Sequence, residues 1–163
     1  MVGSLLSALL LTVAATSTPT TAAEISDVRT HDLTAGVFVG SSIEAELSWF
    51  ATNSLQLAIR GGVVEKSEGS WRAATDVYYH FPNVIGSVSQ AASMGFFVGL
   101  GAQIAGPRPE ESVYRFGERV SFGLRYTLDA GKYELITMVA PGLLHRPRLR
   151  ATLDALIGFR FGF

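Results

Sequence analysis

The chain contains no cysteine, which excludes disulfide bridges, thiolate nucleophiles and cysteine-based metal sites. It also lacks long apolar runs. Although 48% of its residues are hydrophobic, no segment reaches the roughly 18–20 consecutive apolar residues that a transmembrane helix needs. Lysine is scarce, because Lys66 and Lys132 are the only lysines in the sequence. The net charge of −1 and the absence of a basic cluster argue against nucleic acid as a partner.

The first 23 residues are predicted to be a cleaved signal peptide. The apolar stretch 5–15 has the length of the hydrophobic region of an export signal, and Thr21-Ala22-Ala23 offers the small residues that signal peptidase reads. No Lys or Arg precedes the apolar stretch, which departs from the usual pattern. The alternative is a buried N-terminal helix, which the Thr-rich stretch 16–21 disfavours. We therefore expect residues 24–32 to form a short periplasmic segment and residues 33–163 to form the folded domain.

From Leu33 onward the dominant hydrophobic period is two, which predicts β-strands. Eight segments show it: 33–39, 43–51, 55–63, 71–81, 94–104, 114–128, 132–140 and 150–163. The connections are those of hairpins, with a two-residue turn predicted between Asp129 and Lys132 and longer loops at 65–69, 82–91, 106–111 and 142–147. No segment of useful length with a helical period lies between strands, which argues against a parallel α/β fold.

The second face of these strands collects the charged residues. Its carboxylates are Glu44, Glu46, Asp76, Glu134 and Asp154, and its arginines are Arg60, Arg72, Arg115, Arg119, Arg125, Arg150 and Arg160. A solvated strand face without a mid-strand lysine is unusual for a soluble protein. In a narrow lumen, by contrast, each guanidinium can bind several carboxylates at once. The glycines on the same face, such as Gly99, Gly123 and Gly158, are predicted to leave room for bulky lumen neighbours.

Aromatic residues near the strand ends complete the pattern. They are Trp49, Trp71, Tyr79, Phe81, Phe116, Tyr126, Tyr133, Phe161 and Phe163, all on the apolar face. With the alternating final strand, the chain resembles the small outer-membrane β-barrels of the OmpA transmembrane-domain and OmpX type. The resemblance implies an all-β fold, an eight-stranded antiparallel up-and-down transmembrane β-barrel preceded by a signal peptide. It also implies that Ile157, Phe159, Phe161 and Phe163 form the signal that the outer-membrane barrel assembly machinery recognises.

The sequence favours a structural or envelope-interaction role over chemistry. The lumen charge network is predicted to contain Glu44, Glu46, Arg60, Arg72, Asp76, Arg125, Glu134, Asp154 and Arg160. The His-x-Ser pairing of lipid A deacylases is absent, and the three histidines are scattered, so no catalytic residue, cofactor or metal site is expected. His80 and Asp76 share one strand face, four residues apart. A narrow ion or solute channel and a soluble lipocalin-like barrel remain alternatives, and a lipid A-modifying enzyme is less favoured.

The expected location is the outer membrane, with membrane lipid, lipopolysaccharide and the assembly machinery as partners and a monomeric state. An even number of strands places both ends of the barrel on the same side, which the terminal signal identifies as periplasmic. The turns at 52–53, 82–91 and 129–132 would then be periplasmic, and the loops at 65–69, 106–111 and 142–147 external.

The substitution Phe163→Asp tests the terminal signal. We expect less protein inserted in the outer membrane, with export and signal cleavage unchanged, because the variant loses one side chain of the apolar ridge that the assembly machinery binds. The measurement is the amount of mature protein in the outer-membrane fraction. Equal, equally heat-modifiable amounts for the variant and the wild type would show that Phe163 is only an ordinary apolar residue.

Overall fold

The computed structural model describes residues 32–64, 71–81, 87–89, 92–107, 112–145 and 148–163. The predicted signal peptide, residues 24–31 of the segment that follows it, and the predicted loop at 65–69 lie outside the described residues. Within these ranges, no helix is long and apolar enough to cross a membrane.

The described chain is almost entirely antiparallel β-structure. Its strands are β1 (Leu33–Gly40), β2 (Ser42–Phe50), β3 (Leu55–Val64), β4 (Trp71–Phe81), β5 (Ser87–Ser89), β6 (Ala92–Ala105), β7 (Arg115–Leu128), β8 (Tyr133–Leu144) and β9 (Arg150–Gly162). Eight of them match the predicted segments. The three-residue strand β5 was not predicted and lies within the 82–91 connection.

Two pairings close the sheet into a barrel. Strand β1 pairs with β9, with Ala35 opposite Phe161, and β4 pairs with β6, while sequence neighbours form the remaining hairpins. The short strand β5 extends the sheet beside β6. The predicted fold class, a closed eight-stranded antiparallel up-and-down barrel, is confirmed.

The alternation of residues along each strand follows from closure. In β2, Glu46 points into the barrel and is 4% exposed, whereas its neighbour Leu47 points outward and is 48% exposed. The same alternation runs through the other long strands. Because successive side chains of a strand point to opposite faces, a period of two in the sequence separates the lumen from the outer face.

Large rings in the lumen sit opposite glycines. Phe38 pairs with Gly158, Tyr78 with Gly99, and Phe97 with Gly123. In each pair, a Cβ on the glycine would overlap the ring. The predicted use of these glycines is therefore confirmed. These rings belong to a buried apolar cluster that we call the apolar layer: Phe38, Ala58, Tyr78, Phe97, Ile136, Met138 and Leu156.

Two predicted connections are wrong. Strand β8 continues through Pro141 to Leu144, so residues 142–144 belong to a strand and not to a loop. Pro141 points outward and pairs with Leu153 of β9, but the β7–β8 pairing is interrupted beside it, as expected for a residue that has no N–H to donate.

The second correction concerns the turn at residues 129–132. The last strand pair is Leu128 with Tyr133, so four residues form the loop and Asp129 and Lys132 do not flank a two-residue turn. Asp129 has a φ of 50° and Gly131 a φ of 95°. Asp tolerates the left-handed region better than most residues, and Gly enters it freely, so this loop is locally favourable.

The barrel has two rims. The lower rim carries Leu33, Phe163 and the turns at 51–54 and 129–132, and the Phe163 N–H donates to the Leu33 carbonyl at 3.1 Å. The upper rim carries Ser41 and the connections β3–β4, β6–β7 and β8–β9. The predicted placement of both ends of the barrel on one side is confirmed.

The pairs of lumen rings and glycines predict that alanine substitutions at different glycines will differ in their effect on stability. We expect Gly158→Ala to lower the free energy of unfolding by about 1–3 kcal/mol, because the new methyl group must displace the Phe38 ring in a packed interior. Gly61→Ala is the matched control, since its Cβ would meet only the Arg72 carbonyl at 3.8 Å. Urea unfolding of the refolded protein gives both values. Equal effects would contradict the assigned packing.

Candidate functional site

The candidate site is the charged lumen. All nine residues predicted for the charge network are buried there: Glu44, Glu46, Arg60, Arg72, Asp76, Arg125, Glu134, Asp154 and Arg160. Arg115 and Arg119 are buried as well. Arg150 is exposed at the upper end of β9, so its expected place among the lumen charges is wrong: the strand rises beyond its pairing with β1, whose Gly40 lies opposite Leu156.

Arg60 of β3 is the centre of the network and is 1% exposed. Its guanidinium donates to Asp76 Oδ2 at 2.9 Å and to the Tyr78 hydroxyl at 2.7 Å. It also lies 3.4 Å from Glu46 and 3.8 Å from Glu44. One planar group with five N–H donors thus connects strands β2, β3 and β4.

An upper branch runs through Arg72. Its guanidinium donates to Glu44 at 2.5 Å and to Asp154 at 2.6 Å. Ser42 donates to the same Glu44 carboxylate at 2.7 Å, and Ser41 donates to Asp154 at 3.1 Å. Because Asp154 belongs to β9, this branch crosses the seam where the first and last strands close the barrel.

A second branch joins β4 to β7 through Asp76. Arg119 donates to both oxygens of this carboxylate, from Nε to Oδ1 at 2.9 Å and from Nη2 to Oδ2 at 2.5 Å. Gly101 lies between the two strands opposite both residues, and a Cβ there would overlap Asp76. The bidentate geometry is that of the strongest ion pairs in proteins.

A lower branch runs through Arg160 of β9. Its Nε lies 2.6 Å from Glu46, and its Nη1 lies 3.4 Å from Glu134 and 3.2 Å from the Gln56 side-chain oxygen. Arg125 contacts the other oxygen of Glu134 at 3.5 Å. Among the described residues, the three branches therefore form one connected network of five arginines and five carboxylates. Arg115 donates to the Gly106 carbonyl at 3.0 Å.

The network and the apolar layer interlock. The guanidiniums of Arg60 and Arg160 lie over the Phe38 ring at 5.4 Å and 5.5 Å, and over the Tyr78 ring at 6.0 Å and 5.8 Å. Burial of charge is costly unless each charge is paired, and contact with an aromatic face adds to the attraction. The lumen is thus filled by paired charges and rings in contact.

His80 and Asp76, which share one strand face, contact different partners. His80 Nε2 lies 2.8 Å from the Gln56 oxygen, and Gln56 donates to Ser48, which is hydrogen-bonded to Thr34. Asp76 is held by two arginines. Among the described residues, no group of three or more His, Cys, Asp or Glu could hold a metal ion.

The sequence analysis did not assign the polar partners Ser42, Ser48, Gln56 and Tyr78 to the charge network, and it did not predict the apolar layer. A signal that could have found the four polar residues was present, because each has the same parity as the charges on its strand. Parity assigns a side chain to the lumen, but it does not predict which residue of a distant strand that side chain contacts, as Arg72 contacts Asp154.

The outer face carries the predicted assembly residues. Ile157, Phe159, Phe161 and Phe163 all point outward, and the ring of Phe161 lies 5.6 Å from that of Phe163. Tyr133 stacks beside Phe159 at 5.9 Å. Their recognition by an assembly machinery stays a prediction.

Aromatic residues on the outer face concentrate at the lower rim. There they include Trp49, Tyr79, Phe81, Tyr126, Tyr133, Phe159, Phe161 and Phe163. The upper rim carries Trp71, Tyr114 and Phe116, close together beside β4 and β7, with Trp71 and Tyr114 rings 6.2 Å apart.

Comparison with solved structures finds this fold elsewhere. The N-terminal β-barrel domain of Pseudomonas aeruginosa OprF is similar with a TM-score of 0.59 and 16% sequence identity, over 80% of this chain and 95% of that chain. Neisserial surface protein A (NspA) gives a TM-score of 0.47 and 10% identity, over 80% and 93% of the two chains. No protein-family model and no curated protein sequence matches the chain. The likeness to the OprF domain shows the fold, which is the one that the resemblance to small outer-membrane barrels implies.

Arg60→Met tests the centre of the network. We expect the free energy of unfolding to fall by about 3–5 kcal/mol, because removal of Arg60 leaves the five buried carboxylates of the network with only four guanidiniums, and so one buried charge without compensation. The matched control is Lys132→Met in the exposed lower-rim turn, which loses the same charge and should change stability by at most about 0.5 kcal/mol. Urea unfolding measures both, and an Arg60→Met variant as stable as the control would show that the network does not hold the fold.

Proposed function

We propose that this chain is an integral protein of a Gram-negative-type outer membrane, with a structural or envelope-interaction role and a plugged lumen. The observation that carries the proposal is its inverted polarity. Six arginines and five carboxylates are buried among the described residues, whereas large apolar side chains cover the outer face. Leu153, for instance, is 68% exposed and Ile157 is 56% exposed.

The outer face supports a hydrocarbon environment. Soluble monomers rarely expose contiguous apolar patches of more than a few hundred Å². In lipid, the same surface is stable provided that every backbone group is paired, which a closed barrel achieves. The barrel strands, of 8–14 residues, bracket the roughly 9–11 that a tilted strand needs to cross a bilayer. The lower-rim aromatics are suited to a membrane interface.

The lumen supports a plug and disfavours a lipocalin-like pocket or a channel. A lipocalin-like barrel would present an apolar cavity to its ligand. Here the lumen holds paired charges, and the rings of Phe38, Tyr78 and Phe97 are fully buried. An ion would have to pass both this layer and the guanidiniums of Arg60 and Arg160.

The short upper-rim connections support a structural role. One residue joins β1 to β2, six join β3 to β4, nine join β6 to β7 and five join β8 to β9, which leaves little chain for a long binding loop there. We propose membrane lipid, lipopolysaccharide and the barrel assembly machinery as partners, a monomeric state, and neither nucleic-acid binding nor enzymatic activity. The chain would be exported and its signal peptide cleaved near Ala23.

Membrane insertion is tested by an arginine on the outer face. We expect Ile59→Arg to reduce insertion into lipid vesicles and to destabilise the inserted barrel by about 2–4 kcal/mol, the cost of an arginine near the bilayer midplane. Asn53→Arg, in the exposed lower-rim turn, is the matched control and should insert normally.

The readouts are heat-modifiable gel mobility, fractionation of native membranes and conductance in planar bilayers. The wild type should partition with the outer membrane, migrate faster unheated and give no conductance. Equal insertion of the two variants, or recovery of wild-type protein in the soluble fraction, would refute the membrane assignment. Steady single-channel currents would show that the lumen is a channel and not a plug.

A further inference from the structure

The seam between β1 and β9 carries a step in the upper rim. The last pair of the two strands is Gly40 with Leu156, and just above it the Ser41 N–H donates to the Ala155 carbonyl at 3.1 Å. Strand β9 continues six residues beyond Leu156, to Arg150. At a strand tilt of about 40° each residue rises about 2.5 Å along the barrel axis, so β9 ends roughly 15 Å above β1.

The apolar walls of the barrel therefore differ in height. At the lower rim β1 and β9 are level, because the Phe163 N–H donates to the Leu33 carbonyl. The outward residues of β1 run from Leu33 to Val39, about 15 Å along the axis, and those of β2, from Ile43 to Trp49, cover the same height. On β4 and β9 they cover about 25 Å and 30 Å. Since the apolar band of such barrels is about 25 Å tall, the β1–β2 side falls short at its upper end.

The stagger of the strands gives the relative heights around the barrel. A row of strand partners that begins at Gly36 and passes through every long strand ends at Arg150 of β9, ten residues above Arg160, the residue that Gly36 itself faces. Each step to the next strand therefore rises by about one and a quarter residues, or about 3 Å. The row from Val39 reaches Trp71 after three steps, so Trp71 lies about 9 Å higher. A flat lipid interface at Trp71 would leave the end of β1 within hydrocarbon.

The part of β9 above the step presents an open strand edge. In an antiparallel pair, every second residue directs both its N–H and its C=O toward the same neighbouring strand. Ala155 directs its carbonyl toward β1, so Leu153 and Ala151 face the same side, where no described strand pairs with them. Unpaired backbone groups are too costly to leave in hydrocarbon. Water or lipid headgroups must therefore reach down to this edge.

We propose that the wall of β1 and β2 contacts a locally thinned upper leaflet, in which lipid headgroups descend to Ser41 and to the open edge of β9. The inference rests on the membrane assignment proposed above. A bilayer adapts to a short apolar wall by thinning beside it at modest cost. On the far side of the barrel, the same leaflet keeps its ordinary height at Trp71 and Phe116.

Spin labels on single-cysteine variants test the proposal, since the chain has no cysteine of its own. Val39 and Thr75 both point outward and lie at nearly the same height, because Thr75 is four residues below Trp71 on β4. The protein is refolded into phosphatidylcholine vesicles, and the accessibility of each nitroxide to oxygen and to a water-soluble nickel complex gives its depth. We expect the Val39→Cys label to be shallower than the Thr75→Cys label by at least about 5 Å.

Ala35→Cys and Tyr79→Cys form the matched pair near the lower rim. The row from Ala35 reaches Thr75 in three steps, and Tyr79 lies four residues below Thr75, so these two positions are also level. Their labels should lie equally deep beneath the lower headgroups, because the wall of β1 falls short only at its upper end. A label at Ala35 that is deeper by as much as the one at Val39 is shallower would show a rigid tilt of the barrel and would overturn local thinning.

The upper pair also separates this inference from the membrane assignment. Equal depths for the Val39→Cys and Thr75→Cys labels, both within hydrocarbon, would refute the thinned leaflet and leave the membrane assignment intact. A Thr75→Cys label as accessible to the nickel complex as one at Asn53→Cys, in the exposed lower-rim turn, would overturn both.

The yield of membrane insertion gives an independent readout. A lysine on the lipid face is tolerated near the headgroups, which its long side chain can reach, and is costly deeper in the bilayer. Val39→Lys should therefore insert into the vesicles as well as the wild type, whereas Thr75→Lys, at the same height on a full-length wall, should insert several-fold less. The measurement is the heat-modifiable fraction on gels. Equal yields for the two variants, whether both normal or both reduced, would contradict the thinned leaflet.

Discussion

The pairing of β1 with β9 is the constraint on which the rest of the structure depends. It joins residues from the two ends of the described chain, with Val37 opposite Phe159, and it pairs the free edges of the first and last strands. Once the sheet is closed, every strand has an inside and an outside, and the period of two in the sequence becomes a division between lumen and outer face. The Arg72–Asp154 ion pair reinforces this seam from within, above the point where the β1 ladder ends.

The lumen accommodates charge because the charges alternate. Each carboxylate of the network contacts at least one guanidinium, and four of them contact two each: Glu44, Glu46, Asp76 and Glu134. Burial of an unpaired charge would cost several kcal/mol, so the network is stable only as a connected set. Arginine suits this role better than lysine because one planar guanidinium serves several acceptors, which agrees with the position of Lys132 outside the lumen, in an exposed turn.

Much of the fold could be predicted from the sequence, because the alternation of residues along each strand is kept when the sheet closes into a barrel. The eight long strands and the orientation of residues such as Glu46 and Leu47 follow from alternation alone. Three features did not follow. Pro141 indicates the end of a strand, yet in the structure β8 continues through it. Pro141 points outward there, and the pairing of β8 with β7 is interrupted beside it. Arg150 is exposed because β9 extends beyond the upper end of β1, and the offset between two paired strands is not encoded in the alternation of residues. Likewise, contacts across the lumen depend on the shear of the whole barrel, which no local pattern encodes.

The interlocking of rings and charges bears on what such a lumen can do. Arg60 contacts the Phe38 and Tyr78 rings while it binds Asp76, so it cannot rotate aside without losing ion pairs and ring contacts together. The Phe38 ring in turn fills the space beside Gly158, because its atoms are the nearest to a Cβ added at that glycine. A pore would therefore need concerted rearrangement of side chains from at least four strands, and not a single rotamer change. Under the proposed function, such an interior would leave interactions to the outer face and the rims, where the aromatic residues lie.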